Sequence, residues 1–154
     1  LDLSNLNTSN IKDMSNIFED CTSLQNINLE NIDTSRVNTM KKMFSNCQSL
    51  SSLNLSSFNT NNVEKMSYMF QNCTKLKSLD ISNFLIPKVT ELDYMFAYNE
   101  NLMSLDISNF NTTNCNTFTN LFEECRQLTV VLNGKKCSKI LDSIPDYVKI
   151  KYID

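Results

Sequence analysis

Six cysteines, no histidine, and regular columns of polar and aromatic residues are where chemistry could reside in this 154-residue chain. Cys21, Cys47, Cys73 and Cys125 recur at one phase of the sequence. A zinc site needs C-x-x-C pairs or histidine partners, and the chain offers neither. A disulfide ladder is no better served. Cys73 and Cys125 lie two units apart, about 10 Å by strand spacing, which is beyond disulfide reach. Neighbours such as Cys21 and Cys47 are nearer, but equivalent side chains run parallel rather than towards each other. The recurring cysteine therefore reads as a small inward residue packed in a turn. Cys115 reads as core, and a Cys125–Cys137 link tying down the C-terminal segment stays open as an alternative. Without histidine there is no Ser-His or Cys-His pair, and a single glycine leaves no glycine-rich phosphate loop. The acidic residues recur at outer positions rather than converging on a cleft, so the chain reads as no enzyme, with no metal and no cofactor.

The remaining candidates are surfaces. Asp2, Asn28, Asn54, Asp80 and Asp106 form one column, and Ser4, Glu30, Ser56, Ser82 and Ser108 a second, with Asn26, Ser52, Ser78 and Ser104 beside them. Such a flat, polar, mildly acidic face suits a protein partner, and equally suits plain hydrogen bonding along a ladder and to water. Asp80 above Asp106 could hold a cation only weakly, because two carboxylates do not make a dedicated site. Tyr68 and Tyr94 share one outer position in adjacent units, with Tyr98 nearby. Tyrosine is enriched in binding hot spots, so these form a second candidate contact patch. Asn7, Asn54, Asn72 and Asn111 begin N-x-[ST] triplets, which in a chain this rich in Asn, Ser and Thr also arise by composition.

These columns exist because the chain is repetitive. Leu1-Asp2-Leu3-Ser4 returns at Ile27, Leu53, Leu79 and Leu105, always with the same 26-residue period and without insertion. Phe18, Phe44, Phe70, Phe96 and Phe122 keep the same step, as do Leu24, Leu50, Leu76, Leu102 and Leu128. Five copies in constant register are a strong signal. Within a unit, I-x-L alternates as a short strand does. The stripe Val63, Met66, Met69 and Phe70 has helical spacing and follows Thr60 and Asn61, both good capping types. Each unit is thus expected to hold one short parallel strand and one short helix. Stacking would bury what a lone unit leaves open, the strands forming a sheet on one face. Residues 131–154 break the pattern. Val131 and Asn133 are expected where Leu1 and Leu3 would fall, followed by a cap with a short helix near 137–143 and a strand near 147–153.

The unit Leu53-Asn54-Leu55-Ser56-Ser57-Phe58-Asn59-Thr60 through Val63-Glu64-Lys65-Met66-Ser67-Tyr68-Met69-Phe70-Gln71-Asn72-Cys73-Thr74-Lys75-Leu76 resembles the repeat of BspA-like surface proteins, relatives of the leucine-rich repeats. The resemblance covers residues 1–130. It implies an α/β, leucine-rich-repeat-like solenoid with five repeats over 1–130 and a C-terminal cap of the same domain over 131–154. Leucine-rich repeats exchange Asn and Cys at inner positions, which fits Asn99 at the cysteine phase. Repeat four departs from the pattern: Leu85-Ile86-Pro87 replaces Asn-Thr-Ser, with Pro87 expected at the first helical position. Members of the family are secreted or surface-attached, some are implicated in adhesion to host proteins and cells, and no catalytic site is implied.

Fourteen basic against seventeen acidic residues leave no field that would draw nucleic acid. No run approaches a membrane span. The opening residues start inside the repeat pattern, so the chain reads as an excised piece whose targeting segment lies elsewhere. The expectation is a non-enzymatic protein-binding or adhesion module, secreted or at a cell surface, whose partner is a host or matrix protein. The alternative is a structural spacer or a cytoplasmic interaction scaffold, which free thiols fit at least as well.

Overall fold

The computed structural model describes residues 1–153. Successive units lie on one another in parallel. The most continuous ladder runs through the isolated bridges Asp13↔Thr39, Thr39↔Lys65, Lys65↔Glu91 and Glu91↔Thr117, each joining equivalent positions of adjacent units. Across every one of these interfaces the same four amides donate to the next unit. Between the second and third units they are Met40, Lys42, Phe44 and Asn46, donating to the carbonyls of Lys65, Ser67, Met69 and Gln71 at 2.9–3.0 Å.

That ladder lies where a helix per unit was expected, and the helices are absent among the described residues. The only helical segments there are 3-10 turns at Thr112–Asn114 and Ser138–Ser143. The reason is in the backbone. An α-helix spends its amides on its own carbonyls, four residues back. Here alternate amides go to the neighbouring unit, while those between them close local turns, as Met43 to Met40 and Ser45 to Lys42 do. The chain is redirected twice per unit by a left-handed residue, at Asn16, Lys42, Tyr68, Tyr94 and Asn120, and again at Asp20, Asn46, Asn72, Tyr98 and Glu124. Asparagine and aspartate tolerate that conformation, and Asn, Ser and Thr are poor helix formers. Thr60 caps no helix; its hydroxyl reaches the next unit. Pro87 sits in a turn, its carbonyl accepting 2.7 Å from Asn114 Nδ2.

The expected strand side is less regular in the first units, where it shows isolated bridges such as Asp2↔Asn28 and Ser78↔Ser104. It becomes a parallel sheet at the C-terminal end: β1 (Ser104–Asp106), β2 (Thr129–Asn133) and β3 (Lys149–Ile153), in that order. Leu105 pairs with Val130, where the constant register would bring it to Val131. Val130 and Leu132 therefore take the buried places that were assigned to Val131 and Asn133, which are half-exposed.

Between the two ladders lies the core. Phe18, Phe44, Phe70, Phe96 and Phe122 stack at centroid separations of 5.3, 5.8, 5.9 and 5.7 Å. Methionines at Met14, Met40 and Met66 and valines at Val37, Val63 and Val89 fill the space around them. Burying each such side chain contributes roughly 1.5–3 kcal/mol. Phe118, at the phase of Met66 but in the fifth unit, is only partly buried.

Candidate functional site

The strand-side column is exposed, but its side chains are also occupied. An Asp or Asn oxygen accepts the backbone amide two residues on in every unit: Asp2 from Ser4, Asn28 from Glu30, Asn54 from Ser56, Asp80 from Ser82 and Asp106 from Ser108, at 2.8–3.0 Å. These are Asx turns, which let Asn and Asp do the work glycine does elsewhere. The amide and hydroxyl of Ser82 hold the Asp80 carboxyl below its ordinary 3.8, and Ser4 does the same for Asp2. Each column residue thus keeps one polar side-chain atom for water or a partner. Ser56, Ser82 and Glu30 are exposed beside them, and Ser4 and Ser108 half-buried. A shallow groove between the third and fourth units is lined by Asn54, Ser56, Asp80 and Ser82.

On the opposite ladder Tyr68 and Tyr94 come together. Their rings stack at 5.0 Å with 5° between planes. Both residues have positive φ, 63° and 54°. A left-handed non-glycine residue costs about 1–3 kcal/mol unless it is Asn- or Asp-like, so tyrosine is a poor backbone choice here. The stack is framed at both ends. Lys41 and Lys42 lie 6.0 and 5.9 Å from the Tyr68 centroid, and Asn120 Nδ2 donates to Tyr94 Oη at 2.9 Å. Lys42 is fixed by Glu19 at 2.7 Å, a contact that raises its pKa. Tyr98 occupies the second left-handed position of the same unit, at φ 61°. All three tyrosines are half-exposed.

The cysteines belong to the frame of this surface. Cys47, Cys73 and Cys125 each donate a thiol proton to the carbonyl of the phenylalanine one unit back, at 3.2, 3.2 and 3.0 Å. Burial pushes Cys47 up to about 12 and Cys125 to about 11, and raises Cys73 as well. Asn99 takes the same place and more: its Nδ2 donates to the Phe70 and Phe96 carbonyls and its Oδ1 accepts from the Cys73 amide. All six cysteines are free. Cys125 and Cys137 address different carbonyls, Cys137 those of Phe110 and Ile107, so the link between them is not formed.

Sequence reasoning missed the threonines. Thr8, Thr34 and Thr60 are buried, and each hydroxyl both donates to and accepts from the backbone of one residue in the next unit: Asp33, Asn59 and Leu85. The recurring Thr at that phase was the available signal, read instead as a helix cap. It missed equally that Lys41, Lys42 and Asn120 frame the tyrosines, because contacts between units follow the repeat period rather than local spacing.

Comparison with known proteins gives one relationship. No curated protein and no solved structure matches the chain. Residues 1–84 and 54–144 each match the family described as "Mycoplasma protein of unknown function, DUF285". The two matched segments overlap and together run from the first unit into the cap, so they span the ladders, the tyrosine stack and the thiol and threonine frames alike. On that coverage the chain belongs to the DUF285 family.

Proposed function

We propose that this chain is a leucine-rich-repeat-like solenoid of the BspA kind and that it serves as a non-enzymatic protein-binding module of a secreted or surface-exposed protein. The observation that carries the reading is the tyrosine stack. A backbone position that favours asparagine is given to tyrosine in two adjacent units, and a third tyrosine takes the neighbouring left-handed position. Half-exposed aromatic side chains held rigidly at a strained backbone are what a contact hot spot needs. The polar strand-side columns offer a second, weaker surface, since much of their hydrogen bonding is spent on turns. The free thiols do not oppose an oxidising surrounding. Five of the six, all but Cys21, are buried with raised pKa values, which makes them poor thiolates and slow to oxidise. Among the described residues no helix is long and apolar enough to cross a membrane.

The test is adhesion of beads carrying the chain to surfaces coated with host-cell or matrix proteins. The Tyr68→Asn, Tyr94→Asn double variant should fold at least as stably as the parent, because Asn suits the left-handed position, and should lose adhesion. Retained adhesion in that variant, with loss in Asp80→Lys, Asp106→Lys, would move the contact to the strand side. An absence of binding by the parent chain, with the same segment protected from protease in intact cells, would sink the surface reading.

A further inference from the structure

The ladder that carries the tyrosines ends abruptly at the fifth unit. In the fourth unit the amides of Leu92 and Tyr94 donate to the Thr117 and Thr119 carbonyls at 2.8 and 2.9 Å. The equivalent amides one unit on, Phe118 and Asn120, have no acceptor among the described residues. Glu124 N, further along the same row, is taken by Tyr147 Oη at 2.9 Å, and Phe122, whose amide likewise has no acceptor among the described residues, is fully buried and out of reach. Phe118 and Asn120 therefore remain as a pair of parallel donors at the open end of the row. They sit in a groove of about 390 Å³ lined by Asn116, Thr117, Phe118, Thr119, Asn120 and Ser143. The residues at Phe118's phase in the four earlier units, Met14, Met40, Met66 and Leu92, are all buried, whereas Phe118 is not fully covered.

We propose that this groove docks a peptide segment of a partner protein, which takes the same turning path as the rungs before it and joins the tyrosine-bearing ladder as its next rung. Four interfaces in this molecule show what satisfies such a row: a run lying parallel, turned twice by left-handed residues, that offers alternate carbonyls and an apolar side chain over the phase of Phe118. As in strand addition, backbone hydrogen bonds supply the affinity and alternate side chains the specificity. The occupant is a single segment rather than a second folded copy. On the strand side the cap continues past the fifth unit with β2 and β3, two further layers or about 10 Å, and a folded repeat placed on Phe118 and Asn120 would collide with them. The site adjoins the tyrosine stack through the Asn120 side chain, but the backbone donors it offers are not used by the stack.

The experiment follows the backbone amides of the isotope-labelled chain by nuclear magnetic resonance while a peptide of sequence KMSYMFQ is added. That is the run Lys65–Gln71, which fills this place on the second unit. The Phe118 and Asn120 signals should shift, and their hydrogen exchange should slow at least about tenfold, towards that of protected ladder amides. Ser143→Arg, which fills the groove, should weaken binding roughly tenfold, and Asn116→Arg serves if the first variant does not fold. Unchanged exchange at both amides overturns the proposal. So do shifts confined to the apolar first unit around Leu6 and Ile17, or the same slowing on concentrating the chain alone, which would make a second copy the occupant.

Discussion

Asn99 shows what its cysteine counterparts do. One side chain satisfies three buried backbone groups: the Phe70 and Phe96 carbonyls and the Cys73 amide. Replacing it by Ala leaves those groups without partners and should lower stability by about 3 kcal/mol, while Asn99→Cys should cost less than half as much, as read by denaturant unfolding. The Asx turns make a prediction of the opposite character, small and pH-dependent. Asp2, Asp13 and Asp80 titrate below their ordinary 3.8 when folded, chiefly because a serine amide two residues on donates to them. A depressed folded pKa contributes stability that is complete above the unfolded value and is lost as pH falls through the folded one. Thermal unfolding should therefore be flat between about pH 5 and pH 8 and decline below about pH 4, and Asp80→Asn, which keeps the turn, should make that decline shallower. The cysteine phase was legible in the sequence as an inward packing position. The carbonyl that each thiol meets lies 29 residues back, and only the stacked structure shows it.

At the scale of the element, the repeat length and the inward positions were written plainly in the chain, and the type of secondary structure was not. Spacings of three, three and one between Val63, Met66, Met69 and Phe70 fit a helical face. They fit equally a run that turns back at each left-handed residue and sends alternate amides sideways. The recurring Asn at Asn46 and Asn72, together with a single alanine in the whole chain, argued for the second. Threonine at Thr60 illustrates the same ambiguity, a good helix cap by type and a clamp between units in fact. Thr60→Val keeps the shape and removes both hydrogen bonds to Leu85, so it should destabilise by about 2 kcal/mol. Ile86 holds the corresponding place in the fourth unit without a hydroxyl, and Ile86→Val should cost no more than about 1.5 kcal/mol in the same unfolding assay.

For the whole molecule, nearest-neighbour contacts carry nearly everything: stacked phenylalanines, threonine clamps and ladder amides each join one unit to the next. Stability should then be close to a sum over interfaces. Deleting residues 53–78 joins Ser52 to Leu79 without changing the phase of any other residue. The product should fold, with a melting temperature lower by only several degrees. Deleting Asn62 alone, an exposed residue, should cost more, because the Thr60 clamp and the Val63 core position can no longer both be reached. Circular dichroism melts of the two variants decide the matter, and the prediction fails if the larger deletion proves the more damaging.

The unvarying length of the repeat has a consequence for heredity. Each unit is a whole number of codons, and its upper and lower faces are interchangeable with those of its neighbours. Misaligned exchange between two copies of the coding sequence would add or remove complete units while keeping the reading frame and every retained contact. The number of units is therefore the property that such a lineage can change in one event without first passing through an unfolded protein.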